Sequence, residues 1–394
     1  MNSSTTFWKT ALFALLASSA FGQGIEFRDL KLKEALQAAE DEGKLVFVDA
    51  YTDWCGPCKW MAANMFPNEK IGQFYNKHFV CIQMDMEKGE GLAFAKNHSV
   101  RAYPTLLFLN REEEELMRAQ GASPEVEDYL DNARRAMDPK RNMIYLQAEM
   151  PSRKEDLRFM EQYLETFAMA GTLKEEVVRE FFLQFDAEEW MGDALWPLIE
   201  RHVSNVESPV FRELAGRKAR VLTERGEAAK SYFTRCITDH LRMKRYRART
   251  EEEKEKFAQE LARWQQQWPE DPSITPRMLL LDARLNKDKE QWRKIAMENA
   301  QKHFWNDADM LNELAWEFYE STKDKNELSA ALIWAERAVV LAPEHHILDT
   351  YAHLLWVNGL SEEAIEVEGQ AVEKAEEEGA DASAYQAFIA EIKQ

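Results

Sequence analysis

The sequence predicts an α/β domain followed by a long all-α region. Two observations carry this. Apolar runs of strand length, rich in β-branched and aromatic residues, lie before residue 138. From Asn142 onward such runs disappear, and apolar residues recur at three- and four-residue spacing, the pattern of amphipathic helices.

In chain order, Lys44-Leu45-Val46-Phe47-Val48-Asp49-Ala50-Tyr51 reads as a strand buried on both faces. It leads into Trp54-Cys55-Gly56-Pro57-Cys58-Lys59, and residues 59–65 are mostly helix formers with no breaker. Pro57 falls near the first helical position, where a missing N–H costs little. The two thiols thus sit on a strand-to-helix turn. At C-x-x-C spacing they can close into a small disulfide, and the partly unpaired helix N-terminus favours a thiolate on Cys55. This is a redox site, with Cys55 expected to be exposed and Cys58 tucked behind it. Phe79-Val80-Cys81-Ile82-Gln83-Met84-Asp85 is a second buried-strand pattern, in which Cys81 reads as a small hydrophobe. Leu106-Leu107-Phe108-Leu109 is a third strand.

These residues resemble the thioredoxin superfamily. Asp49, six residues before Cys55, matches the family's buried carboxylate, and Trp54 matches the tryptophan beside the thiols. Tyr103-Pro104-Thr105 resembles the cis-proline loop, Gly121 the glycine after the last hairpin strand, and residues 123–137 the closing helix. The match covers roughly residues 24–137. It implies a mixed central sheet flanked by helices and a site of Cys55, Cys58 and Asp49 set among Trp54, Gly56, Pro57 and Pro104. It also implies disulfide exchange without a cofactor, and Asp49 as proton acceptor for Cys58; a structural strand-end carboxylate is the alternative. Gly56-Pro57 resembles the reducing members. Tyr51-Thr52-Asp53 departs from the family's aromatic-rich tripeptide, and the segments 65–68 and 85–91 resemble envelope-located branches. Lys59, one residue past the motif, reads as a solvated helix residue.

The first 22 residues read as a secretory leader. Lys9 precedes an apolar stretch from Ala11 to Phe21, and Ala20-Phe21-Gly22 carries small residues at the two positions a signal peptidase reads. Export to the periplasm, or secretion, is the expectation. Removing the leader takes away Lys9 and no acid, so the formal charge moves from −20 to −21 on 372 residues. Such acidity disfavours nucleic acid and anionic lipid as partners. No later run is long enough to span a membrane.

Four cysteines do not make a disulfide framework, and Cys236 has helical surroundings and no sequence-near partner. A zinc site built on the C-x-x-C pair would need a second such pair or matching histidines, and the sequence has neither. His345-His346 reads as a turn before a helix. No metal and no cofactor are therefore expected.

Beyond the boundary at Asp138-Pro139, helices are expected over 154–170, 173–185, 213–225, 228–246 and 251–268, with breaks at 207–209 and 269–276. The tail repeats itself. Ala331-Leu332 and Ala338-Val339 recur 33 residues later as Ala364-Ile365 and Ala371-Val372, and Leu314-Ala315-Trp316 is echoed by Tyr351-Ala352-His353. This resembles tetratricopeptide repeats. The expected organisation is a leader (1–22), an α/β domain (23–138), a helical region (139–306) and repeats (307–394). Nine of the twelve tryptophans follow residue 139 and read mostly as core fillers.

The leading functional reading is an exported thiol–disulfide oxidoreductase whose clients are protein disulfides or dithiols. An envelope electron donor would supply it, and the helical region would select its partners. Two others stay open: a helical-repeat interaction scaffold with a regulatory dithiol, and a dedicated envelope relay such as one in cytochrome maturation.

Overall fold

The computed structural model describes residues 24–378 and 380–393. The expected leader lies outside the described residues. The described residues fall into two compact units, divided between Val177 and Val178.

The first unit is built on α1 (Leu32–Glu42), β1 (Leu45–Tyr51), α2 (Gly56–Asn64), α3 (Glu69–His78), β2 (Phe79–Asp85), α4 (Gly91–Asn97), β3 (Thr105–Leu109), β4 (Glu115–Gln120) and α5 (Val126–Met137). The sheet order is β2-β1-β3-β4. β1 runs parallel to β2 and antiparallel to β3, and β3 antiparallel to β4, so the sheet is mixed. Strand alternation sorts β1 into two faces. Val46, Val48 and Ala50 join Val80, Ile82, Leu107 and Leu109 in a core closed by Ala35 and Ala39 of α1 and Phe94 of α4. On the other face Phe47, Phe79 and Phe108 cluster with Tyr75 of α3, whose hydroxyl donates to the Tyr129 carbonyl of α5 at 2.9 Å. Asp49 lies on this second face.

The unit continues past Asp138-Pro139 through α6 (Met143–Glu149) and α7 (Leu157–Met169), both packed against β4. Buried Arg135 of α5 fastens α7: its guanidinium reaches Thr166 Oγ1 at 3.3 Å and Glu165 at 3.4 Å while pairing with Asp131.

The boundary between the units falls within α8 (Glu175–Phe182). The second unit continues as α9 (Trp196–His202), α10 (Pro209–Gly216), α11 (Lys218–Arg247), α12 (Glu251–Gln267), α13 (Ile274–Leu285) and α14 (Lys289–His303). It ends with α15 (Ala308–Ser321), α16 (Lys325–Leu341), α17 (His345–Val357), α18 (Ser361–Glu378) and α19 (Ser383–Ile392). Ser208, expected as part of a break, lies in the non-helical stretch before α10 and caps that helix by accepting from Phe211 N–H, with Pro209 in the first turn. α15 packs on α16, and α17 on both α16 and α18. The repeated Ala331, Ala338, Ala364 and Ala371 are all fully buried, where a small side chain lets helices approach. All nine tryptophans beyond residue 139 are buried or half-buried. No helix among the described residues is long and apolar enough to cross a membrane.

Candidate active site

Thr52, buried at the end of β1, begins a turn in which Cys55 N–H donates to its carbonyl at 3.1 Å. Cys55 then caps α2: its Sγ accepts from Cys58 N–H at 3.1 Å, and its carbonyl receives Lys59 N–H at 3.2 Å. Pro57 occupies the first turn, where no backbone donor is needed. The two sulfurs are joined in a disulfide, with the Cα atoms 5.3 Å apart. Cys55 is 3% exposed and Cys58 4%. The expectation that Cys55 would be exposed is therefore corrected. Its side chain turns back over the first helical turn to cap Cys58 N–H and to bond the second sulfur, which takes it away from solvent. Exposure belongs instead to its neighbours Trp54, Gly56, Pro57 and Lys59.

Asp49 is 2% exposed. It sits opposite Gln83 in the β1–β2 register, and Gln83 Nε2 donates to Oδ2 at 2.9 Å, while Oδ1 has no hydrogen-bond partner among the described residues. Burial disfavours the charged carboxylate and outweighs the single donor, so the group is pushed up to about 7. Tyr129 of α5 also lies within its field.

The rim of the site comes from two loops. Trp54 is 66% exposed, yet its indole N–H donates to Glu87 Oε2 at 3.0 Å, and its ring meets Tyr103 edge-on at 5.9 Å. The Tyr103–Pro104 bond is cis. Pro104 is buried at the start of β3, and its carbonyl accepts from Gly121 N–H at 2.9 Å. Lys88, on the same loop as Glu87, pairs with Asp53 and with Asp85. The sequence reading missed Gln83 and Glu87 as contributors. Gln83 had a signal, being the one uncharged polar residue in an otherwise apolar strand; Glu87 had none, since its contact spans 33 residues of chain.

Cys81 and Cys236 are free, and both are buried. Burial pushes the Cys81 thiol up to about 12 and the Cys236 thiol up to about 11. Each stays protonated at neutral pH, and a protonated thiol is a poor nucleophile.

Residues 27–111 match the model of a thioredoxin-like family. Thioredoxin-1 of Drosophila melanogaster is 34% identical over 76 residues, which are 19% of this chain and 64% of that protein. The thiol:disulfide interchange protein DsbD of Pseudoalteromonas atlantica is 31% identical over 85 residues, 21% of this chain and 14% of that protein. The chain thus spans just under two thirds of the first relative and a small part of the second. Among solved structures, a candidate disulphide-isomerase from Bacteroides thetaiotaomicron is 43% identical over 30% of this chain and 97% of that one, with a TM-score of 0.28.

Proposed function

From a chain that carries a thioredoxin-like domain with a disulfide-forming Cys55–Cys58 pair, we propose an exported thiol–disulfide oxidoreductase that reduces or exchanges disulfides of client proteins. The observation that carries the reading is the closed Cys55–Cys58 pair at the N-terminus of α2, on the sheet that also buries Asp49.

In the reducing direction Cys55 reacts as the thiolate, favoured by the N–H groups at the start of α2. It attacks one sulfur of a client disulfide; a Cys55–client bond forms, the client S–S bond breaks, and the leaving sulfur takes a proton. Cys58 then gives its proton to Asp49 and attacks Cys55 Sγ, closing the intramolecular disulfide and releasing the second client sulfur as a thiol. Two electrons pass to the client. Asp49 suits this step because burial brings it to about 7, where it accepts a proton at neutral pH and gives it up again. Restoring the dithiol needs a second dithiol as donor, and the envelope is where we place that partner. The helical unit, with its two similar helix pairs α15–α16 and α17–α18, reads as a tetratricopeptide-like arm that selects clients.

Insulin reduction with dithiothreitol as donor tests the chemistry: wild type accelerates it, and Cys55→Ser and Cys58→Ser do not. A wild type without activity overturns the reading. Cys58→Ser should also hold clients as mixed disulfides, and mass spectrometry of these adducts distinguishes a range of clients from a single relay partner.

A further inference from the structure

The second unit buries a polar cluster that the redox chemistry does not use. Glu368 of α18 is fully buried, and neither carboxylate oxygen has a hydrogen-bond partner among the described residues. One ligand atom each from Glu368, Asp349 and His353 lie within 4.8 Å of one another. Asp349 and His353 are four residues apart on α17 and so share a face. The imidazole is held in place: Nδ1 lies 2.9 Å from the Asp349 carbonyl and 3.3 Å from its Oδ1, and the ring lies flat on Phe388 of α19 at 3.5 Å. Trp316 and Tyr319 close it edge-on at 5.3 and 5.0 Å.

The helical fold does not demand this cluster. By the internal repeat, Glu368 corresponds to Ala335, His353 to Trp316 and Asp349 to Asn312 of the preceding helix pair. Ala335 is fully buried and has no polar side chain, and Asn312 is neutral, its buried Oδ1 without a hydrogen-bond partner among the described residues. The last pair has therefore replaced a neutral, largely apolar set with two carboxylates and an imidazole. Two facing carboxylates accept and do not donate, so they share a buried position only with a proton held between them or around a metal cation. A proton would satisfy the carboxyls alone; the converging imidazole completes a three-ligand nitrogen and oxygen set, whose two negative charges match a divalent ion.

We propose that Asp349, His353 and Glu368 hold a divalent transition-metal ion of the zinc or manganese kind, pinning α17 to α18. The ligands escape a search for paired cysteines or histidines because two come from one helix turn and the third from the next helix.

The test uses the full chain, tag-free and with the Cys55–Cys58 disulfide closed so that the dithiol takes no metal. After stripping with EDTA it is titrated with Zn2+ and with Mn2+, reading bound metal by mass spectrometry and affinity by calorimetry. Wild type should take up about one ion per chain at this site. At a metal concentration of about 100 times Kd, the melting midpoint of the helical unit should rise by roughly 5–10 °C. Glu368→Ala, which installs the residue of the preceding pair, should lose more than the 10–100-fold in affinity typical of outer-sphere changes, roughly 100-fold or beyond. Should that variant fail to fold, Asp349→Asn carries the same comparison. A wild type that binds neither ion and whose melting is unmoved overturns the proposal in favour of a shared proton. Equal affinity in wild type and folded variant overturns it too, placing the metal elsewhere.

Discussion

Asp49 couples a proton to both folding and turnover, because its carboxyl is buried with one donor and one unpartnered oxygen. Its ordinary value is 3.8 and its folded value about 7, so between these pH values the folded state binds the proton more tightly than the unfolded chain. Stability from this group is therefore full below about pH 4 and is lost as pH rises to about 7, a change on the order of 4 kcal/mol. Asp49→Asn removes that slope. In urea unfolding of the oxidised protein, the variant should be the more stable at pH 8, with the difference closing toward pH 4. The same variant should slow release of the mixed disulfide by about 100-fold, the scale of lost proton-transfer catalysis, while leaving capture by Cys55 nearly unchanged. Equal release rates would remove Asp49 from the mechanism.

At the scale of elements, α11 keeps a break that the sequence signals. The sequence separates helices at residues 225 and 228, and the backbone leaves the helical conformation between them, at Gly226, with φ 52° and ψ −128°. Only glycine adopts this conformation without strain, and a Cβ there meets nothing within 4 Å, so any penalty is conformational rather than steric. Gly226→Ala should cost about 1–3 kcal/mol, read as a lowered midpoint for the helical unit in thermal melting. Equal melting would mean the kink adapts. Strands β1, β2 and β3 were legible within a residue or two, because an apolar run between polar flanks encodes a buried strand directly. The dithiol, Asp49 and Pro104 were legible through motif and resemblance. What escaped was contact between distant residues: Gln83 on Asp49, Glu87 on Trp54, and Arg135 on Glu165 and Thr166. Periodicity records which face of an element is apolar, not which distant side chain meets it. The burial of Cys55 escaped for a related reason, since a cap that folds back on its own helix has no composition signal.

For the whole molecule, the packing of α6 and α7 against β4 sets where the chain can be divided. A cut at residue 139 would strip those helices and leave Arg135 without Glu165 and Thr166, whereas a cut after Val177 keeps both helices and parts the chain within α8. Residues 23–177 should fold and reduce insulin at a rate close to that of the full chain, while the clients trapped by Cys58→Ser change. An unchanged set of clients would refute the selecting role of the helical unit. The distribution of indoles has an optical consequence. The nine tryptophans beyond residue 139 are shielded, whereas Trp54 is 66% exposed and Trp60 41%, and both flank the dithiol. Acrylamide in solution should therefore quench first the light emitted beside Cys55. A client seated there would shade those two rings and restore the emission, so the protein carries its own fluorescent gauge of occupancy.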